Sequence, residues 1–114
     1  MAEHNKSGSK AENRVTEYMQ RNGFKILDTN WKTKWCEVDI IARKEKRVYF
    51  VEVKYRGSPD FGGGFDYITP KKLKKMDLAA RSWVEMNGWK GEHTLSAAEV
   101  SGDEFNVEFI EEVW

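Results

Sequence analysis

Two carboxylates and one ammonium interrupt a pair of otherwise apolar runs. Asp39 lies in Glu37-Val38-Asp39-Ile40-Ile41-Ala42; Glu52 and Lys54 lie in Val48-Tyr49-Phe50-Val51-Glu52-Val53-Lys54. A strand points residues i and i+2 to one face, so Glu52 and Lys54 stand side by side while Val51 and Val53 point away. The polar link Arg43-Lys44-Glu45-Lys46-Arg47 is short enough for a hairpin turn. Turning about Glu45-Lys46 sets Asp39 opposite Glu52 and Glu37 opposite Lys54, with the two carboxylates roughly 5 Å apart at Cβ. Like charges that close repel, and carboxylates in strands this apolar cost desolvation energy. A divalent cation relieves both penalties, and Mg²⁺ binds through one or two carboxylates plus substrate phosphate. The competing reading is a salt-bridged cluster in which Lys54 neutralises Glu52. From these residues alone both stay open.

The elements needed to hold such a site fit one domain. The chain has 114 residues, 39% hydrophobic and 33% charged, enough for a single core without staples. No apolar stretch reaches bilayer length, so no membrane association is expected. Residues 1–8 read as a polar, flexible tail without a secretory leader, and residues 9–114 as the domain. Cys36 is the single cysteine, which excludes an internal disulfide and suits a cytoplasmic protein. Formal charge is zero, yet all 19 Lys and Arg fall within residues 1–98 and six of the 19 acids lie in the last sixteen positions. That asymmetry keeps a nucleic-acid partner open despite the neutral total.

Ser9-Lys10-Ala11-Glu12 carries the S-x-x-E capping-box pattern and opens a first helix, whose face is Ala11, Val15, Tyr18, Met19 and Asn22. Asn22-Gly23 ends it. A first strand is expected from Phe24 to about Lys34, carrying Trp31 and Trp35 further along, with a bend at Asp28-Thr29-Asn30. The two central strands follow, apolar over Val38, Ile40, Ala42, Tyr49, Val51, Val53 and Tyr55 on one face. Arg56 to Ile68 reads as a glycine- and aromatic-rich loop. No Lys-Ser/Thr follows Gly62-Gly63-Gly64, which argues against a nucleotide phosphate loop. Thr69-Pro70 starts a second helix to about Met86, with Leu73, Met76, Ala80, Trp83 and Val84 on its buried stripe. Lys71, Lys72, Lys74 and Lys75 crowd its first turns, against the macrodipole, a placement that favours a bound anion. A closing hairpin pairs Thr94–Val100 with Phe105–Val113. His4 and His93 lack metal-ligand spacing.

The order helix, three strands, helix, strands, with Asp39 and then Glu52-Val53-Lys54, resembles the PD-(D/E)xK nuclease fold, an α/β, restriction-endonuclease-like αβββαβ core with a central mixed sheet flanked by helices. More closely, the chain resembles the uncharacterised YraN-like family, itself similar to archaeal Holliday-junction resolvases. The likeness runs from about Gly8 to the C-terminus. It rests on Ala11-Glu12, Gly23-Phe24, Asn30-Trp31, Glu37-Val38-Asp39-Ile40-Ile41, Phe50-Val51-Glu52-Val53-Lys54-Tyr55-Arg56, and Ile68-Thr69 with Lys72. It implies that Asp39, Glu52 and the Val53 carbonyl hold Mg²⁺ or Mn²⁺, that Lys54 orients the attacking water, and that Glu12 is an auxiliary acid, a role competing with helix capping. It implies phosphate contacts at Lys72 and Arg56, and it places Glu37 near Lys54 as a supporting partner. Cys36 and Ala11 stand where the family usually has glycine, and Ser96 where it has aspartate.

These readings converge on metal-dependent hydrolysis of phosphodiesters in DNA. Arg43 and Lys44 of the turn, with Lys71, Lys72 and Lys75, would grip backbone phosphates without sequence preference. Branched substrates follow by analogy with the resolvases, as does a two-fold homodimer. The rivals are a nucleic-acid-binding module that no longer cuts and a protein-interaction adaptor using Phe61, Phe65 and Tyr67 as exposed aromatics.

Overall fold

A computed structural model describes residues 6–56 and 67–113. Two helices and five strands follow in the order α1 (Lys6–Arg21), β1 (Lys25–Lys32), β2 (Glu37–Lys44), β3 (Arg47–Arg56), α2 (Pro70–Asn87), β4 (Glu92–Ser101) and β5 (Asn106–Ile110). The strands form one mixed sheet in sequence order. All neighbours are antiparallel except β3 and β4, which run parallel with α2 as their crossover.

Each helix covers one face. Ala11, Val15 and Met19 recur at four-residue spacing and are fully buried against Ile40, Ala42, Val51 and Val100. Burying each large aliphatic side chain stabilises by about 1.5–3 kcal/mol. On the other face Met76, Ala79, Ala80 and Trp83 of α2 pack on Ile41, Val48, Phe50 and Leu95. The Trp83 ring meets Phe50 edge-on at 5.6 Å. Residues 94–100 of β4 are all buried, as a central strand covered on both faces must be.

The caps fix where α2 begins and ends. Thr69 is its N-cap and its hydroxyl accepts from the Lys72 N–H at 3.1 Å, with Pro70 first in the helix. Gly88 closes it at φ 61°, a left-handed turn that a side chain would resist. The start of α1 departs from expectation. The helix begins at Lys6, so Ser9 lies inside it and Glu12 is not a capping-box residue.

β1 is shorter than expected, ending at Lys32, and Trp35 sits in the turn to β2 instead of on a strand. The register slips between Ile26 and Asp28, and Asn30 takes a positive φ of 51°. Alternation in β2 breaks beside these irregularities: Val38 packs with Ile41 and Phe50 on the α2 side instead of with Ile40 and Ala42. Asn30 lies opposite Asp39, between the Thr29↔Ile40 and Trp31↔Val38 pairs.

Candidate functional site

The β2–β3 hairpin turns at Glu45-Lys46, and its pairs run as expected from Lys44↔Arg47 to Ile40↔Val51. There they stop. Asp39 is not paired with Glu52, nor Glu37 with Lys54. Beyond Ile40, β2 stays with β1 out to the Lys32↔Glu37 pair, while β3 stays with β4 out to Arg56↔Ser101. The sheet therefore forks, with Glu37 and Asp39 on one arm and Glu52, Val53 and Lys54 on the other.

Asp39 bridges the fork. Its Oδ2 accepts the Val53 N–H at 2.8 Å, in place of a backbone rung. Burial pushes its carboxyl from the ordinary 3.8 up to about 7; the Val53 hydrogen bond opposes this, while Glu52, Glu12 and Glu37 add to it. Glu12 reaches the same region from α1. Its pKa is raised by burial and by Glu37 and Glu52, and lowered by a hydrogen bond from the Asn30 side chain. The left-handed Asn30 thus belongs to the site, and the Asp-Thr-Asn bend was its signal in the sequence.

The cation on Glu52 comes from α2, not from β3. Lys72 Nζ lies 2.9 Å from Glu52 Oε2, with both side chains partly buried. The pairing of Glu52 with Lys54 is thus corrected: the strand neighbour points its ammonium over the Tyr67 ring, 5.9 Å from the centroid. Tyr67 is partly buried, not an exposed aromatic. Burial and the nearby charges of Glu52 and Glu99 push its hydroxyl pKa up. Phe61 and Phe65, named with it, lie outside the described residues.

The remaining basic residues divide. Arg56 also approaches the Tyr67 ring, at 5.8 Å, and its guanidinium donates to the buried Glu99 carboxylate. Lys75 lines a cleft with Glu37, Glu52 and Lys72, so Glu37 stands toward α2 instead of beside Lys54. Lys71 is exposed on the first turn of α2. Arg43 and Lys44 are not part of this region. They sit at the closed end of the hairpin, about 13–17 Å from Asp39 along the strand, where Arg43 lies over Trp89 and Lys44 over Phe24. Ser96, at the position where a family aspartate was expected, is buried and donates to the Glu111 carbonyl at 2.6 Å.

Among the described residues no three His, Cys, Asp or Glu side chains converge closely enough to hold a metal by themselves. The groups that could contribute to a cation site are two carboxylates, Asp39 and Glu52, and a main-chain carbonyl. In a strand the N–H and C=O of one residue face the same neighbouring strand, so the Val53 carbonyl shares the side on which its N–H meets Asp39. Glu12, Glu37 and Glu52 lie near enough to raise the Asp39 carboxyl electrostatically, without converging on one point. Oxygen donors with excess negative charge fit a hard divalent cation.

The same span of chain also carries a family signature. The profile of the uncharacterised protein family UPF0102 matches residues 11–108. The chain belongs to this family. A UPF0102 protein of Flavobacterium psychrophilum is 37% identical over 116 residues, covering 100% of this chain and 98% of its own, so the likeness spans the fork and both helices. A UPF0102 protein of Flavobacterium johnsoniae is 34% identical, over 96% of this chain and 94% of its own. One from a Sulfurihydrogenibium species is 38% identical over 80 residues, 70% of each chain. The YraN-like resemblance is borne out as UPF0102 membership. No helix among the described residues of this UPF0102 chain is long and apolar enough to cross a membrane.

Proposed function

We propose that this UPF0102 protein is a metal-dependent endonuclease of the PD-(D/E)xK type, hydrolysing phosphodiesters in DNA, branched structures included. The observation that carries the reading is the fork: β2 and β3 part company where Asp39 and Glu52 lie, and lysines approach from β3 and α2. The order α1-β1-β2-β3-α2-β4 and the mixed sheet support the reading.

In this reading Asp39, Glu52 and the Val53 carbonyl hold Mg²⁺ or Mn²⁺. The ion would lower the pKa of bound water and offset charge building on the phosphate. Lys54, exposed on the β3 arm, orients the nucleophile, a positioning effect that supplies several kcal/mol in well-aligned sites, on the order of 7–11 at most. Glu12 serves as an auxiliary acid or proton acceptor from α1, free of any capping duty. Lys72 keeps Glu52 compensated until substrate arrives and then turns to phosphate, with Lys75 and Lys71 beyond it. A two-fold dimer would let two strands of a junction be cut symmetrically.

One observation favours a second reading, a nucleic-acid-binding module that does not cut. The Lys72–Glu52 ion pair already satisfies one carboxylate without a metal. Incubation of the protein with linear, flapped and four-way-junction DNA, with Mn²⁺ or with EDTA, separates the two. Cleavage that requires metal and vanishes in Glu52→Gln and Lys54→Ala supports the endonuclease. Salt-sensitive DNA binding with no cleavage and no Mn²⁺ uptake supports the module.

A further inference from the structure

Beside the fork lies a cleft of about 400 Å³, within the size range of small-ligand sites, bounded by the β1–β2 turn and the first turns of α2. Its lining includes the acids Glu37 and Glu52, the lysines Lys34, Lys72 and Lys75, and the exposed apolar side chains Trp35 and Leu78. Trp35 is 81% exposed, the most exposed large apolar side chain among the described residues. A large aromatic left in water at the mouth of a charged cleft points to a ligand with a flat face.

The indole is presented by an ordered turn. Thr33 N–H donates to the Cys36 carbonyl at 2.8 Å, and the Thr33 hydroxyl accepts from the N–H groups of Trp35 and Cys36 at 3.1 and 3.2 Å. With four residues held by three hydrogen bonds, little backbone entropy remains to be lost when a ligand stacks on the ring. Lys34 Nζ stands 5.6 Å from the ring centroid, and at 81% exposure the rest of the indole surface is open.

We infer that this cleft receives an unpaired nucleotide of DNA, its base stacked on Trp35 and its phosphate directed by Lys34, Lys72 and Lys75 toward the carboxylates. The inference rests on the endonuclease reading and specifies its substrate class: DNA with at least one unpaired nucleotide next to the phosphodiester. A fully paired duplex presents base edges in its grooves and no free base face, so it cannot make this contact. Lysines on the wall favour a polyanion over a second copy of the apolar rim, which would have to bring its own lysines against these.

The test is fluorescence anisotropy in EDTA with labelled short oligodeoxythymidylate, a gapped duplex and a blunt duplex, using wild type, Trp35→Ala and Trp35→Phe. Sedimentation velocity runs alongside, and metal-dependent cleavage is measured separately on wild type. Stacking on an aromatic accounts for roughly 5- to 150-fold in affinity. Trp35→Ala should therefore lose about tenfold or more on the oligodeoxythymidylate and the gapped duplex and less than about twofold on the blunt duplex. Trp35→Phe should retain most of the affinity, and binding should quench indole emission more in wild type than in Trp35→Ala. Unchanged affinity in Trp35→Ala, or equal losses on all three DNAs, overturns the inference. So does a shift from dimer to monomer with DNA affinity intact, which assigns the face to a second copy. If wild type still cuts with metal, only this inference falls; if wild type neither binds nor cuts any DNA, the endonuclease reading falls with it.

Discussion

Replacing Asp39 with Asn removes a charge while leaving an amide oxygen able to accept the Val53 N–H, so it isolates the electrostatics of the fork. The Asp39 carboxyl rises from 3.8 to about 7 on folding. Between those values the folded protein binds more protons than the unfolded chain, so stability is highest in acid and falls as pH rises through that window. A carboxyl held at about 7 in the folded state against 3.8 in the unfolded chain destabilises the fold by up to about 4 kcal/mol at pH 8. Wild type in EDTA should thus lose stability from pH 5 to pH 8, whereas Asp39→Asn should be flatter and about 2–4 kcal/mol more stable than wild type at pH 8. Urea unfolding at half-unit pH steps is the assay. Mn²⁺ should narrow the gap by stabilising wild type alone, because it binds only the folded site that keeps the carboxylate. If the two proteins lose stability in parallel with pH, the carboxyl is not raised and the reasoning fails.

Further expectations follow from the same geometry. Mn²⁺ affinity of wild type should fall by up to about tenfold per pH unit below 7, as protons compete for Asp39, measurable by titration calorimetry in buffers of different ionisation enthalpy. Lys72→Ala should cost about 1 kcal/mol in stability yet bind Mn²⁺ more tightly, since the ammonium no longer competes for Glu52; weaker binding would count against a cation site there. Arg56→Ala strands the buried Glu99 and should cost about 3 kcal/mol, with the Arg56→Ala/Glu99→Ala double variant recovering part of it in urea melts. Gly91→Ala would put a methyl 2.6 Å from the Lys46 carbonyl oxygen and 2.5 Å from the Trp89 ring, so its melting curve should show a loss of about 1–3 kcal/mol.

Much of the scaffold was legible because its cues are local. A polar five-residue link between alternating runs sets the hairpin and its register near the turn, and Thr69-Pro70 with Asn87-Gly88 bounds α2 to within one residue. The fork was not legible, because alternation looks the same in a strand that stays paired and in one that leaves its neighbour. Val38 changes face beside the left-handed Asn30 of the adjoining strand, a feature that does not show in the pattern of β2 itself. Glu52 finds its cation on a helix instead of two residues along the strand, a contact that depends on how α2 packs. Glu12 carried two competing roles, and the helix start at Lys6 removes one. The family likeness singled out Asp39, Glu52 and Lys54 and included Asn30, whereas Tyr67 and Trp35 are brought beside them only by tertiary placement.

The Asp39 carboxylate also acts as a wedge. By taking the Val53 amide hydrogen it occupies the gap through which the next main-chain rung would close. An alanine at this position would both discharge the site and invite the two arms to zip together toward the strand ends. Inactivity in such a variant would therefore conflate lost chemistry with a shut entrance, which makes the isosteric amide the cleaner diagnostic.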